Sequence, residues 1–281
     1  MVSMNRLNTE KRCQVVRALV EGCSVRMTGV SKNTVTKLLV DIGEACSAYQ
    51  DKVLRNLTCR RLQLDEIWSF CYSKAKNVPV DKQGQFGVGD VWTWVAIDAD
   101  TKLVPSWLVG TRDGDCVAAF VNDLSRRLTH RVQITSDGLK SYLDAVEGAF
   151  GGNVDFAQLV KLYGKDESPK DSRYSPPKCV GCRPKNVTGY PDSSHISTSF
   201  VERQNLTIRM HMWRFTRLTN AFSKKVENHA CAIALHFMHY NFARIHQTIK
   251  STPAMLAGVA DHLWSIEEIV GLLETKERIS N

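Results

Sequence analysis

The sequence predicts an α/β fold: a mixed sheet covered by helices, preceded by a small all-α helix-turn-helix domain. Three observations lead there. Residues 8–48 show helical periodicity alone, residues 61–163 alternate strand-length apolar runs with amphipathic helical segments, and residues 200–249 turn helical again. An apolar content of 43% and a charged content of 23% are those of an ordinary globular chain. At 281 residues there is room for one large domain and a small satellite.

In the first unit, Val15, Val16, Leu19 and Val20 recur at helical spacing and Gly22 stops the helix. The segment SVRMT (24–28) leads to Gly29 and then to SKNTVTKLLVDIGEACSAY (31–49). There Ser31 suits an N-cap, and Val35, Leu38, Leu39 and Ile42 form an apolar face. Helix, short helix, glycine turn and second helix is the order of a helix-turn-helix. Lys32, Asn33 and Lys37 then occupy the outer face, with groups suited to phosphates and base edges in a major groove. A plain helical hairpin that binds nothing is the competing reading. This domain is expected to span residues 1–50, with a linker over 51–60, the main body over 61–256 and a C-terminal helical tail over 257–281.

Within the main body, RLQLDEIWSF (61–70), GDVWTWVAIDAD (89–100) and LVPSWLVGTR (103–112) read as three strands. The turn-rich DADTK joins the last two as a hairpin. A helix, DCVAAFVNDLSRRL (115–128), precedes a fourth strand, RVQITSD (131–137). A second helix, LKSYLDAVEGAF (139–150), precedes a fifth strand, DFAQLVKLY (155–163). Residues 164–198 hold five of the eight prolines and read as an insertion that makes a long surface excursion. Its CVGC (179–182) supplies half the ligands of a structural zinc site and reads as two free thiols. His229, His236 and His239 recur at helical spacing among apolar residues and read as packing groups, whereas Trp213 is placed to stack on a base.

A formal net charge of +8 favours an anionic partner, of which nucleic acid is the commonest. The longest apolar runs, such as VWTWVAI (91–97), are too short to span a bilayer. The polar, basic start MVSMNRLNTEKR has no secretory pattern, so the nine cysteines are expected to be reduced thiols. The expected location is cytoplasmic and nucleoid-associated.

Three acidic residues carry the chemistry. Asp65 lies in the first strand, Asp137 ends the fourth, and Glu202 lies in the helical stretch SFVERQNLTIRMHMW (199–213). If the two strands are neighbours, their carboxylates meet at one sheet edge and the helix closes the set. Hard divalent cations take oxygen ligands of this kind, and two of them can activate the attacking oxygen and stabilise the leaving one in a phosphodiester displacement. Arg203 and Arg209 share the helix with Glu202, and Lys224 and Lys225 follow it, as candidate phosphate contacts. Among competing acids, Glu66 is expected to point to the opposite sheet face because strand side chains alternate. Asp98 and Asp100 read as turn residues or as supports of the site, and Asp113 and Asp115 as helix caps or dipole partners.

LDEIW around Asp65, TSDG around Asp137, SFVERQN around Glu202 and the tail YNFARIHQTIKSTPAM (240–255) together resemble the DDE transposases and retroviral-type integrases. LDEIW with VERQN is most similar to the bacterial insertion-element transposases of the insertion sequence one family. The resemblance covers roughly residues 60–256 and implies a ribonuclease-H-like catalytic core. It implies that Asp65, Asp137 and Glu202 are a catalytic triad holding two Mg²⁺, with Mn²⁺ able to substitute. The activity implied is cleavage at element ends, followed by joining of the freed 3′-hydroxyls to target DNA. Synapsis of two ends implies at least a dimer, and His246 in the tail would touch DNA or the site. The interval from Asp137 to Glu202 is longer than in many integrases, and the insertion accounts for it. Two other functions fit parts of the pattern: a non-catalytic helix-turn-helix regulator, and a nuclease or resolvase on the same core. An inactive copy of an element would carry the same residues.

Overall fold

The computed structural model describes residues 7–164 and 179–279. Its centre is a six-stranded mixed sheet of β1 (Arg61–Cys71), β2 (Gly89–Asp98), β3 (Ser106–Gly110), β4 (Val132–Asp137), β5 (Val154–Tyr163) and β6 (Cys179–Thr188), in the order β3-β2-β1-β4-β5-β6. β1, β2 and β3 form an antiparallel meander, β4 and β5 run parallel to β1, and β6 returns antiparallel to β5. The first five strands make a mixed sheet of the α/β class expected from the sequence. β6 lies within the segment expected to be a surface excursion. Residues 179–188 instead extend the sheet as an edge strand with a mostly exposed surface, and residues 165–178, with three of the insertion's prolines, lie outside the described residues.

Alternation along β1 assigns its neighbours. The face bearing Leu64 and Glu66 looks toward α3 (Gly114–Ser125) and α4 (Ser141–Phe150); there buried Trp94 of β2 meets Phe120 and, edge-on at 5.7 Å, Tyr142. The face bearing Gln63, Asp65 and Ser69 looks toward α5 (Ser199–His211) and α6 (Val226–Met238). On that side Ser69 Oγ and His229 Nε2 share a hydrogen bond of 2.9 Å. Burial holds His229 and His236 down to about 3, so both are neutral packing residues.

α1 (Thr9–Val20) is capped by Asn8, whose side chain accepts from the Lys11 N–H at 2.8 Å. A single 3₁₀ turn over Val25–Thr28 and left-handed Gly29 lead into α2 (Lys32–Val53), capped by Ser31. α2 runs without a break across positions 50 and 51, and its second half packs into the body. Gly43 lies against Cys231 of α6, and the Gln50 side chain donates to the Ala234 carbonyl at 3.0 Å. The chain closes with α7 (Pro253–Leu256) and α8 (Ile266–Ile279), where the Trp264 ring ahead of α8 lies tilted against Tyr49, centroids 4.7 Å apart. α1, α2 and α8 therefore share one apolar core with the sheet. No helix among the described residues is long and apolar enough to cross a membrane.

Candidate metal centre

The β1–β4 ladder ends at Leu64 paired with Ser136, one residue short of Asp65 and Asp137. Past that point β2 still pairs with β1, but on the β4 side no ladder separates the two sheet faces. Asp65 and Asp137 consequently meet, and Glu66 reaches them from the other face. Among the described residues, the one set of potential metal ligands close enough to share an ion is Asp65, Glu66 and Asp137, with oxygens all within 4.8 Å of one another. The expectation that alternation removes Glu66 from the site is thus corrected: alternation holds for the backbone, but a long side chain at the end of a ladder bridges both faces. Arg112 fixes Glu66 there, its Nε and Nη2 donating to Oε1 at 2.9 and 2.7 Å while its guanidinium lies over the Trp92 ring.

Asp137 Oδ1 accepts from the Leu139 N–H at 3.0 Å, and the Gln158 amide of β5 donates to the carbonyls of Asp137 and Leu139, both at 3.0 Å. β5 thereby braces the turn that presents the second carboxylate. Placement of the glutamate is set by β1 itself. The Gln63 side-chain oxygen Oε1 accepts from the N–H groups of Phe200 and Val201 at 2.8 and 3.1 Å, capping α5, and Asp65 Oδ2 accepts from the Asn205 amide at 2.8 Å. Gln63, Asp65 and α5 are one assembly. Gln63→Leu, which leaves two helix N–H groups unsatisfied beside β1, is expected to cost about 2 kcal/mol in urea denaturation; a change below a few tenths would show that water takes over the cap.

Glu202 lines the same open cavity of about 400 Å³ as Asp65, Asp137, Arg112 and Lys161. It does not join the three-carboxylate group. Its Oε1 instead accepts from Thr198 Oγ1 at 2.5 Å and pairs with Lys161 Nζ at 2.7 Å.

Charge in the cavity is unbalanced. Burial, and then the neighbouring Glu66 and Asp137 carboxylates, push Asp65 up to about 7 against the opposing pull of Lys161. Burial and Asp137 likewise raise Glu66, with Arg112 opposing. Burial and the same three carboxylates raise the Tyr142 phenol, which stays protonated and donates a long 3.5 Å hydrogen bond to Glu66. A donor set made wholly of carboxylate oxygens, crowded enough to resist ionisation, fits a hard divalent cation.

The other sequence candidates lie away from this cluster. Lys32, Asn33 and Lys37 are exposed at the start of α2, and Arg203, Arg209, Lys224 and Lys225 are exposed on and after α5. Of these, Arg209 is near enough to the cavity to interact with Asp65. Trp213 is exposed, but its indole N–H is engaged by the Gly22 carbonyl at 3.0 Å. His246 hydrogen-bonds the Tyr240 carbonyl at 3.2 Å and does not line the cavity. Asp98 accepts from Thr101 within its turn, Asp100 pairs with Arg61, and Asp113 caps α3. Gln63, Glu66, Arg112 and Lys161 were not singled out by sequence as site residues. Gln63 alone left a usable trace, as the polar residue two before Asp65 on the same strand face.

No protein-family model matches the chain, and no curated protein does. Among solved structures it is similar to a cryo-EM structure of the piggyBac transposase synaptic complex with hairpin DNA, at 12% identity and a TM-score of 0.38, over 100% of this chain and 75% of that one. It is also similar to the crystal structure of the Mos1 mariner paired end complex with Mn, at 14% identity and a TM-score of 0.23, over 84% and 78%.

Proposed function

We propose that the chain is a DNA transposase of the insertion-element type, with Asp65, Asp137 and Glu202 as catalytic metal ligands and Glu66 as a further carboxylate of the site. The observation that carries this reading is the convergence of Asp65, Glu66 and Asp137 at the end of the β1–β4 ladder, with Glu202 across the same cavity. Two divalent ions, Mg²⁺ or Mn²⁺, would supply activation of the attacking oxygen and stabilisation of the leaving one. The protein's part is to hold the carboxylates, through Gln63, Asn205, Gln158 and Arg112, and to present cations to the DNA backbone. Arg209 on α5 interacts with the charge of Asp65, and Arg203, Lys224 and Lys225 extend the positive surface. Lys32, Asn33 and Lys37 at the free end of α2 would read the element ends, and two copies would bring two ends together near the nucleoid.

The deciding experiment incubates the purified chain with Mg²⁺ or Mn²⁺ and a supercoiled plasmid carrying the DNA that flanks its own coding sequence. Joined strand-transfer products, lost in Asp137→Asn, are expected. Cleavage without joining would make the chain a nuclease or resolvase, and binding that is indifferent to Asp137 would make it a regulator. If α2 meets the phosphates, Lys32→Ala with Lys37→Ala lowers the slope of log affinity against log salt by about one per lysine. An unchanged slope in a filter-binding or anisotropy titration would remove α2 from the DNA interface.

A further inference from the structure

Lys161 places a cation among groups suited to hold metal. It stands on β5 two residues beyond Leu159, the register partner of Asp137, and both side chains line the cavity. Its ammonium takes the Glu202 oxygen that Thr198 also engages, and it is close enough to Asp65 to act on that carboxylate's charge. The Lys161–Glu202 pair is partly open to solvent, at 30% and 41% side-chain exposure. Such pairs contribute about 1 kcal/mol or less, so a stronger partner displaces them readily. A divalent ion beside Asp65 and Asp137 is such a partner for Glu202. The displaced ammonium would remain in the cavity where a phosphodiester must lie, and a lysine binds phosphate well as a point charge.

We propose that Lys161 is an exchangeable phosphate-binding residue: it holds Glu202 while the site lacks metal and takes a non-bridging oxygen of the DNA phosphodiester once Glu202 is recruited. The inference rests on the metal-dependent reading of the site and adds a residue and a switch to it.

The test is a double-mutant cycle in the full chain, read by Mn²⁺ titration calorimetry without DNA and by single-turnover cleavage at saturating Mn²⁺. Lys161→Met is expected to bind Mn²⁺ three- to tenfold more tightly, because the competitor for Glu202 is gone, yet to cleave roughly a hundredfold more slowly. Lys161→Arg should recover most of the cleavage. In a Glu202→Gln background, Lys161→Met should change Mn²⁺ affinity less than twofold. A gain that persists in that background is simple charge repulsion and overturns the exchange. So does unchanged or weakened Mn²⁺ binding by Lys161→Met in a chain that melts at the wild-type temperature. A wild-type chain that binds no Mn²⁺ and cuts no DNA strikes the metal-dependent reading itself, and the exchange with it.

Discussion

Asp65→Asn is expected to stabilise the metal-free chain at pH 8 and, on the function proposed above, to slow metal-dependent DNA cleavage severely. In the folded protein the Asp65 carboxyl titrates at about 7, against an ordinary 3.8. Well below pH 3.8 both folded and unfolded chains carry the proton and the shift costs nothing. As pH rises toward 7 the unfolded chain ionises freely and the folded one resists, so stability falls; above 7 the full penalty is present. Three pKa units correspond to about 4 kcal/mol as an upper bound, and crowding shared with Glu66 brings the expected gain to roughly 2 kcal/mol. The Asn205 hydrogen bond survives, because the asparagine carbonyl accepts as the carboxylate does. Thermal melts in EDTA should show the variant's advantage growing between pH 5 and pH 8, and Mn²⁺ should reverse it by stabilising the wild type alone. If Asp65 is a metal ligand as proposed, its loss should slow cleavage on the order of a thousandfold, about 4 kcal/mol of transition-state stabilisation. An advantage equal at both pH values would show that Asp65 is not under electrostatic strain.

The second large effect lies far from the chemistry. Gly43 sits where α2 crosses α6, and a Cβ there would fall 2.4 Å from the Cys231 Cβ and 2.5 Å from its carbonyl oxygen. Backbone cannot move aside as a side-chain tip can, so Gly43→Ala must push the helices apart. Overpacking of this kind costs about 1–3 kcal/mol, and the upper end is expected because α2 also carries Leu39, Ile42 and Cys46 into the shared core. A fall in the urea midpoint with unchanged slope would register it. A shift in the midpoint of one phase only would mean that the N-terminal helices unfold apart from the sheet.

Much of the architecture was legible because it depends on local pattern. Strand and helix periodicities located β1 to β5 and the flanking helices; the adjacency of the two aspartate-bearing strands was a condition of the reading, and the sheet order meets it. β6 was not legible: CVGCRPKNVT has weak strand patterning and becomes a strand because β5 offers it an edge. The contacts among the candidate acids were not legible for a similar reason. Asp65, Asp137 and Glu202 were identified from local wording, and they do face one cavity.

Which carboxylates touch was decided by tertiary structure. The β1–β4 ladder stops one residue early, and this end effect lets Glu66 join the aspartates from the opposite face. Lys161, remote in sequence from Glu202, holds that glutamate across the cavity. Sequence by itself determined the chain's periodicities, its charge and its candidate acids, since these are properties of residues and near neighbours. Folding alone set the pairings among those acids and their counter-ions, because electrostatic contacts depend on distances of a few ångströms between side chains that the chain order leaves far apart.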